Sequence, residues 1–306
     1  MKVLVTGGRG MLGCHIQDKL WTTPHEGIFV GSKDYDLTSQ FQVRKMFEEI
    51  MPDAVVHAAA RVGGIQENID YPIEFFEQNI LMNTNVVHEA YKYGVRKFIA
   101  ISSTCVYPDA LPKMYYPLKE DILHLGPPTP TNFGYAMAKR VMGTQIELYR
   151  EKYGIDYSTI YACNLYSQYD NFDNEKKAHF VTALIKKIQN CVENKEAVLK
   201  LFGTGKPLRQ FIHASDLADI IVQGLDKVLK TDFNVAGDEC HSIREMAEIA
   251  LDVLDKDLIL NFDTLMPDGQ IRKDACNKKM RELFPEFEFI PFANGIESVY
   301  NSVLNE

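Results

Sequence analysis

The sequence holds no apolar run of about 18 residues, so no conventional membrane-spanning helix is expected. Its six cysteines show no C-x-x-C spacing and no paired pattern, which indicates neither a metal site nor a disulfide framework. An excess of cationic charge is missing too. The 33 Lys and Arg stand against 42 Asp and Glu, a net charge of −9, which argues against nucleic acid or an anionic membrane as the main partner. An anionic ligand would need a local basic pocket. Internal repeats, low-complexity segments and a secretory h-region are also lacking, and the chain opens on a strand pattern, so a reducing cytoplasm is expected. What remains is an ordinary globular composition, 46% hydrophobic over 306 residues, enough for one large domain or two unequal ones.

Strand patterns alternate with helix patterns through the first half. This predicts an α/β fold, a doubly wound parallel sheet of Rossmann type, with a smaller C-terminal substrate domain. Residues 2–6 read as a buried strand that runs into Gly7-Gly8-Arg9-Gly10-Met11-Leu12-Gly13. A helix follows with Leu12, Ile16 and Leu20 on one stripe. In that context a G-x-x-G-x-x-G loop binds a dinucleotide: it turns tightly, lets backbone approach the pyrophosphate, and aims a helix N-terminus at it. The second strand, 27–31, ends in Gly31-Ser32-Lys33, with no acid to hold a ribose 2′-hydroxyl. Lys33 and Arg9 suit a 2′-phosphate instead, so NADP(H) is the expected cofactor. One of Asp34 and Asp36 is expected at the adenine, and Asp36 is counted with the cofactor residues.

A third buried strand spans 53–60, and a helix over 75–93 carries Asn79 and Asn83 one turn apart. These two either face the site or cap neighbouring backbone. The strand over 97–102 delivers Ser103-Thr104-Cys105 at its C-terminal end, the edge where open α/β sheets bind ligands. After a proline-rich loop over 108–130, Tyr135 and Lys139 lie four apart on one helix face. An ammonium beside a phenol is expected to pull its pKa down from about 10. A tyrosine so tuned can protonate an oxygen that receives a hydride. Another strand is expected over 156–163. Beyond Asn164 the rhythm breaks: 166–178 reads as polar and irregular, His179 opens a helix, and 198–202 is a strand. The cofactor domain resumes at Ile212, with Ser215 and Asp216 capping the next helix and 231–236 as its last strand. Ser242 to Glu245 is a capping box. The domains are expected as 1–163 plus 212–240 for the cofactor, and 164–211 plus 241–306 for the substrate.

Glycine loop, strand-end Ser103 and Tyr135-x-x-x-Lys139 occur in the order that resembles the extended short-chain dehydrogenase/reductases. Ser103-Thr104-Cys105, Gly126-Pro127-Pro128, Asn132-Phe133-Gly134-Tyr135, Asp170-Asn171-Phe172, His179, Arg209-Gln210-Phe211 and Asp268-Gly269-Gln270 narrow the resemblance. Together they resemble the GDP-L-fucose synthase family of GDP-4-keto-6-deoxymannose epimerase/reductases over essentially the whole chain. The resemblance implies Cys105 and His179 as a proton-exchanging pair, Ser103 and Tyr135 as donors to the C4 oxygen, and Lys139 at the nicotinamide ribose. It adds Asn164 and Leu165 to the cofactor residues, and Lys187, Phe202, Arg209, Asp268 and Lys273 as contacts to a GDP-sugar. It further implies a homodimer formed through two long helices. Thr104-Cys105 stands where related dehydratases carry an Asp-Glu pair, so water elimination is not expected. Two positions depart from the family: Ser167 where glycine is common, and Phe202 where bacterial members commonly have tryptophan. The alternatives are C4 reduction of a related GDP-4-keto-6-deoxy sugar such as a heptose and, remotely, a non-catalytic NADP-sensing protein.

Overall fold

A computed structural model describes residues 1–172, 179–266, 268 and 270–304. Residues 173–178 of the expected irregular stretch, and Gly269 of the Asp268-Gly269-Gln270 motif, lie outside the described residues. The strands are β1 (Lys2–Thr6), β2 (Glu26–Val30), β3 (Ala54–His57), β4 (Lys97–Ser103), β5 (Asp156–Ala162), β6 (Asn164–Tyr166), β7 (Val198–Phe202), β8 (Leu208–Arg209), β9 (Phe211–His213), β10 (Phe233–Val235), β11 (His241–Ser242) and β12 (Ile259–Asp263). The α-helices are α1 (Met11–Leu20), α2 (Gln40–Ile50), α3 (Ile65–Asp70), α4 (Pro72–Lys92), α5 (Phe133–Tyr153), α6 (Phe180–Glu193), α7 (Ala214–Leu225), α8 (Ile243–Val253), α9 (Lys278–Leu283) and α10 (Phe292–Leu304).

Six parallel strands form the central sheet in the order β10-β5-β4-β3-β1-β2. A strand buried on both faces reads as a continuous apolar run, which is why Val3-Leu4-Val5 and Ala54-Val55-Val56 stand without alternating polar residues. Successive side chains nevertheless serve opposite layers. Val3, Val5 and Val56 pack with Leu12 and Ile16 of α1 and Leu217 of α7. Leu4, Val55 and Phe98 pack with Val43 and Phe47 of α2, Val86 of α4 and Met142 of α5. The third strand is shorter than expected: Ala58 to Ala60 leave the ladder as the backbone crosses under the glycine loop.

A third apolar cluster gathers Tyr166, α6, β7, α8 and α10. Around it β6 pairs with β9, β8 with β11, and β7 with β12. The α7 helix begins differently from expectation. His213, not Ser215 or Asp216, is its N-cap, and its ring accepts from the Ser215 amide, while Asp216 accepts from the Ile290 amide at 3.1 Å. The capping box of α8 is present with both bonds, Glu245 N to Ser242 and Ser242 N to Glu245.

Candidate active site

The glycine loop joins β1 to α1 under severe crowding. Gly7 has φ +71°, and a Cβ there would lie 2.7 Å from the Ala59 amide nitrogen. A Cβ on Gly13 would lie 2.4 Å from the Gly7 carbonyl oxygen, so the helix sits on the loop with no room for a side chain. Gly10 caps α1 with extended backbone and donates to Gly7 O at 3.0 Å. The amides at Met11 and Leu12 open the helix, so its positive end points out of the cradle. Arg9 crosses the end of β2: its side chain runs along Gly31, and its guanidinium pairs with Asp34 at 2.8 Å. Arg9, paired with Asp34, therefore stands where the adenosine ribose lies in this fold, with Ser32 and Lys33 beside it. This cradle and its charge fit a dinucleotide with a 2′-phosphate.

Asp36 spends one carboxylate oxygen on a local turn, accepting from Thr38 N at 2.9 Å and Thr38 Oγ1 at 2.7 Å. At the start of β6, Asn164 donates to Gln210 O at 3.1 Å, with half-buried Leu165 next to it. Asn79 and Asn83 both serve the scaffold. Asn79 holds Arg61 N and O and the Phe75 carbonyl. Asn83 bonds His57 at 3.0 Å, and His57 bonds Thr6 Oγ1 at 2.7 Å. Burial, and then the Lys139 charge, hold His57 neutral by lowering its pKa to about 3.

The chemical centre forms at the C-terminal edge of β4. Ser103 ends the strand, and the next turn brings the Cys105 amide onto Ser103 Oγ at 3.2 Å. Tyr135 lies in the first turn of α5, and Lys139 one turn on. Lys139 is 1% exposed and donates to Ile101 O at 2.8 Å. Burial lowers its pKa to about 7. The expected lowering of the Tyr135 pKa does not occur among the protein groups. Burial raises it, and the Cys105 charge raises it further, so the phenol stays protonated and can act as a donor.

Cys105 also acts electrostatically on His179 and Arg209, so both lie near enough to feel its charge. Burial pushes the Cys105 thiol up, but Lys273, Ser103 and Arg209 outweigh it and leave its pKa below the ordinary value. Lys273 Nζ lies 2.9 Å from the sulfur. His179 is the N-cap residue of α6, and its Nδ1 lies 3.1 Å from each oxygen of Asp170. That carboxylate raises the imidazole pKa and leaves Nε2 for another partner. Asp170 was not among the expected site residues. Its signal lay in the Asp170-Asn171-Phe172 motif, nine residues before His179.

Of the expected substrate residues, Lys187 and Phe202 stand together, the ammonium 4.6 Å from the ring centroid. Phe202 is 64% exposed, a flat apolar face open to a ligand. Asp268 accepts from Thr204 N at 2.6 Å and Thr204 Oγ1 at 2.7 Å, which ties it to the turn after β7. Arg209, half-buried on β8, donates to Leu208 O at 2.8 Å.

Residues 3–236 match the NAD dependent epimerase/dehydratase family. The chain is 37% identical to the GDP-L-fucose synthase of Dictyostelium discoideum, over 96% of this chain and 92% of that one. It is 32% identical to the GDP-L-colitose synthase of Yersinia pseudotuberculosis, over 100% and 99%. A crystal structure of a GDP-L-fucose synthetase from Naegleria fowleri bound to NADP is 31% identical and superposes with a TM-score of 0.88, covering 99% of this chain and 94% of that one. With the nucleotide cradle, the Tyr135–Lys139 helix and the Cys105–His179 centre in place, the chain belongs to the NAD dependent epimerase/dehydratase family, within its GDP-L-fucose synthase branch.

Proposed function

We propose that the protein is an NADPH-dependent enzyme that epimerises GDP-4-keto-6-deoxy-D-mannose at C3 and C5 and reduces it at C4 to GDP-L-fucose. The observation that carries this reading is a Cys105 sulfur 2.9 Å from the Lys273 ammonium just past the end of β4, together with a His179 imidazole held by Asp170 at 3.1 Å and acted on electrostatically by Cys105. A C4 ketone acidifies the hydrogens on C3 and C5. Inversion breaks a C–H bond on one face, sends its electron pair into an enolate, and forms a new C–H bond on the other face. Two groups are needed, and they must differ in charge at one pH. A Cys105 thiolate takes the first proton, a His179 imidazolium returns one, and both reset with solvent. Ser103 and Tyr135 hydrogen-bond the C4 oxygen and stabilise the enolate. Bound NADPH supplies a hydride for C4, and Tyr135 gives the C4 oxygen its proton. Reduction comes last because it removes the ketone.

Gly7, Gly8, Arg9, Gly10, Met11, Leu12 and Gly13 hold the cofactor, with Asp36, Lys139, Asn164 and Leu165. Lys187, Arg209 and Lys273 supply cations for the GDP diphosphate, Phe202 stacks on the base, and Asp268 meets the nucleotide. Residues 1–163 and 212–240 form the cofactor half, and 164–211 and 241–306 the sugar-nucleotide half. The protein works in the cytoplasm as a homodimer. Two copies join through α4 and α5, whose outer faces leave Ile73, Phe76, Leu81, Val141 and Leu148 exposed. A solution mass equal to one chain would remove the dimer.

The test is NADPH consumption with GDP-4-keto-6-deoxy-D-mannose set against the corresponding keto-heptose, with products identified by NMR. The mannose-derived sugar is expected to turn over faster and give GDP-L-fucose. Preference for the heptose, with C3 and C5 unchanged, would make the protein a C4 reductase of that sugar.

A further inference from the structure

Lys273 lies 168 residues from Cys105 in sequence, yet its ammonium is 2.9 Å from the Cys105 sulfur. The segment that carries it is not a loose tail. Leu208 N donates to Ile271 O at 2.9 Å, Leu118 N to Asp274 O at 2.8 Å, and Cys276 N to Leu118 O at 2.8 Å. The buried Gln210 side chain accepts from the Ala275 amide at 2.7 Å. Arg272 pairs with Asp274 at 2.5 and 2.9 Å and lies over the Tyr116 ring. Residues on both sides of Lys273 are thus stitched to β8 and to the loop before α5, and the ammonium is delivered to a set position.

We propose that Lys273 is the resident counter-cation of the Cys105 thiolate, so that the sulfur is ready as a base before any sugar nucleotide arrives. A cation at hydrogen-bond distance favours the ionised sulfur, because the charge it must carry is met at once. The other groups around the sulfur divide in sign. Arg209 and the Ser103 hydroxyl favour the thiolate. Burial opposes it. Protonated Tyr135 carries no charge, and His179 joins the cations only when protonated, paired to Asp170. Lys273 is the one of these that touches the sulfur with a full charge. This role is separate from its service to the diphosphate and rests on Cys105 as the base of the epimerisation.

The experiment follows Cys105 alkylation by iodoacetamide across about pH 5 to 10, read by peptide mass spectrometry in wild type, Lys273→Met and Lys273→Arg. The other cysteines serve as internal controls, and no sugar nucleotide is needed. Wild-type Cys105 is expected to titrate below the ordinary thiol value of about 8.5. Lys273→Met is expected to raise the midpoint by about one unit or more, slowing alkylation near neutral pH about tenfold. Lys273→Arg keeps the charge and is expected to stay near wild type. A wild-type midpoint at or above the ordinary value would overturn the proposal, whatever the variants do. So would a folded Lys273→Met protein with an unchanged midpoint. Either failure leaves the epimerase reading to its own test with the keto-sugar, and failure of that test leaves the thiol titration intact.

Discussion

Replacing Asp170 with Asn should move the ionisation of His179 without moving its backbone. The Asp170 side chain is 7% exposed and that of His179 44% exposed. The carboxylate meets Nδ1 with both oxygens at 3.1 Å and also accepts from Thr182 Oγ1 and, at 3.4 Å, from His179 N. A hydrogen bond to a charged group contributes roughly 1.5–3 kcal/mol. Solvent reaches the imidazole, so only the low end applies, and about 1.4 kcal/mol corresponds to one pKa unit. The hydrogen bond from His179 to Asp170 raises the imidazole pKa, so Asp170→Asn should lower it by about one unit. The sign matters for activity. In the proposed mechanism His179 acts as imidazolium, so the basic limb of the C3 and C5 exchange rate should shift down by about one pH unit. Well below the variant's midpoint the two proteins should agree. The direct assay is an NMR titration of the His179 ring in both proteins. An unchanged or raised midpoint in the variant would refute the argument, because the carboxylate would then not be what holds the proton.

Tyr135→Phe removes the phenolic proton proposed for the C4 oxygen and leaves only the Ser103 hydroxyl there, so it should slow reduction by about 10²–10⁴-fold, measured as single-turnover NADPH oxidation; a loss under tenfold would displace Tyr135 as the donor. Gly13→Ala puts a Cβ 2.4 Å from the Gly7 carbonyl, backbone that cannot step aside. It should destabilise the protein by about 1–3 kcal/mol and weaken NADPH binding, read by thermal unfolding and fluorescence titration. Arg150→Met leaves Asp232 without its cation, with only the Thr159 amide still bonded to its carboxylate, in a site where both side chains are 14% exposed and pair at 2.8 Å. Denaturant unfolding should show a loss of about 3–5 kcal/mol with cofactor affinity unchanged.

The parallel sheet was legible because its strands are buried on both faces and its helices show one apolar stripe. The capping box at Ser242 was legible because both of its bonds close within four residues. The α2 helix went unread although Val43, Met46, Phe47 and Ile50 mark its buried face, a pattern the sequence did offer. Contacts that close over long separations carry no local signal. His57 meets Asn83 across 26 residues and Thr6 across 51, and Lys273 meets Cys105 across 168. The Tyr135–Lys139 spacing fixed a shared helix face, but not the fate of the ammonium. That depended on the Ile101 carbonyl at the end of a neighbouring strand.

The central claim is that one site inverts two carbons and then reduces a third. GDP-4-keto-6-deoxy-D-mannose and NADPH turned over in heavy water would test it, with the product examined by NMR and mass spectrometry. The account predicts NADPH consumed and solvent deuterium fixed at both C3 and C5 of GDP-L-fucose. NADPH consumed with neither carbon labelled would contradict it and leave a C4 reductase.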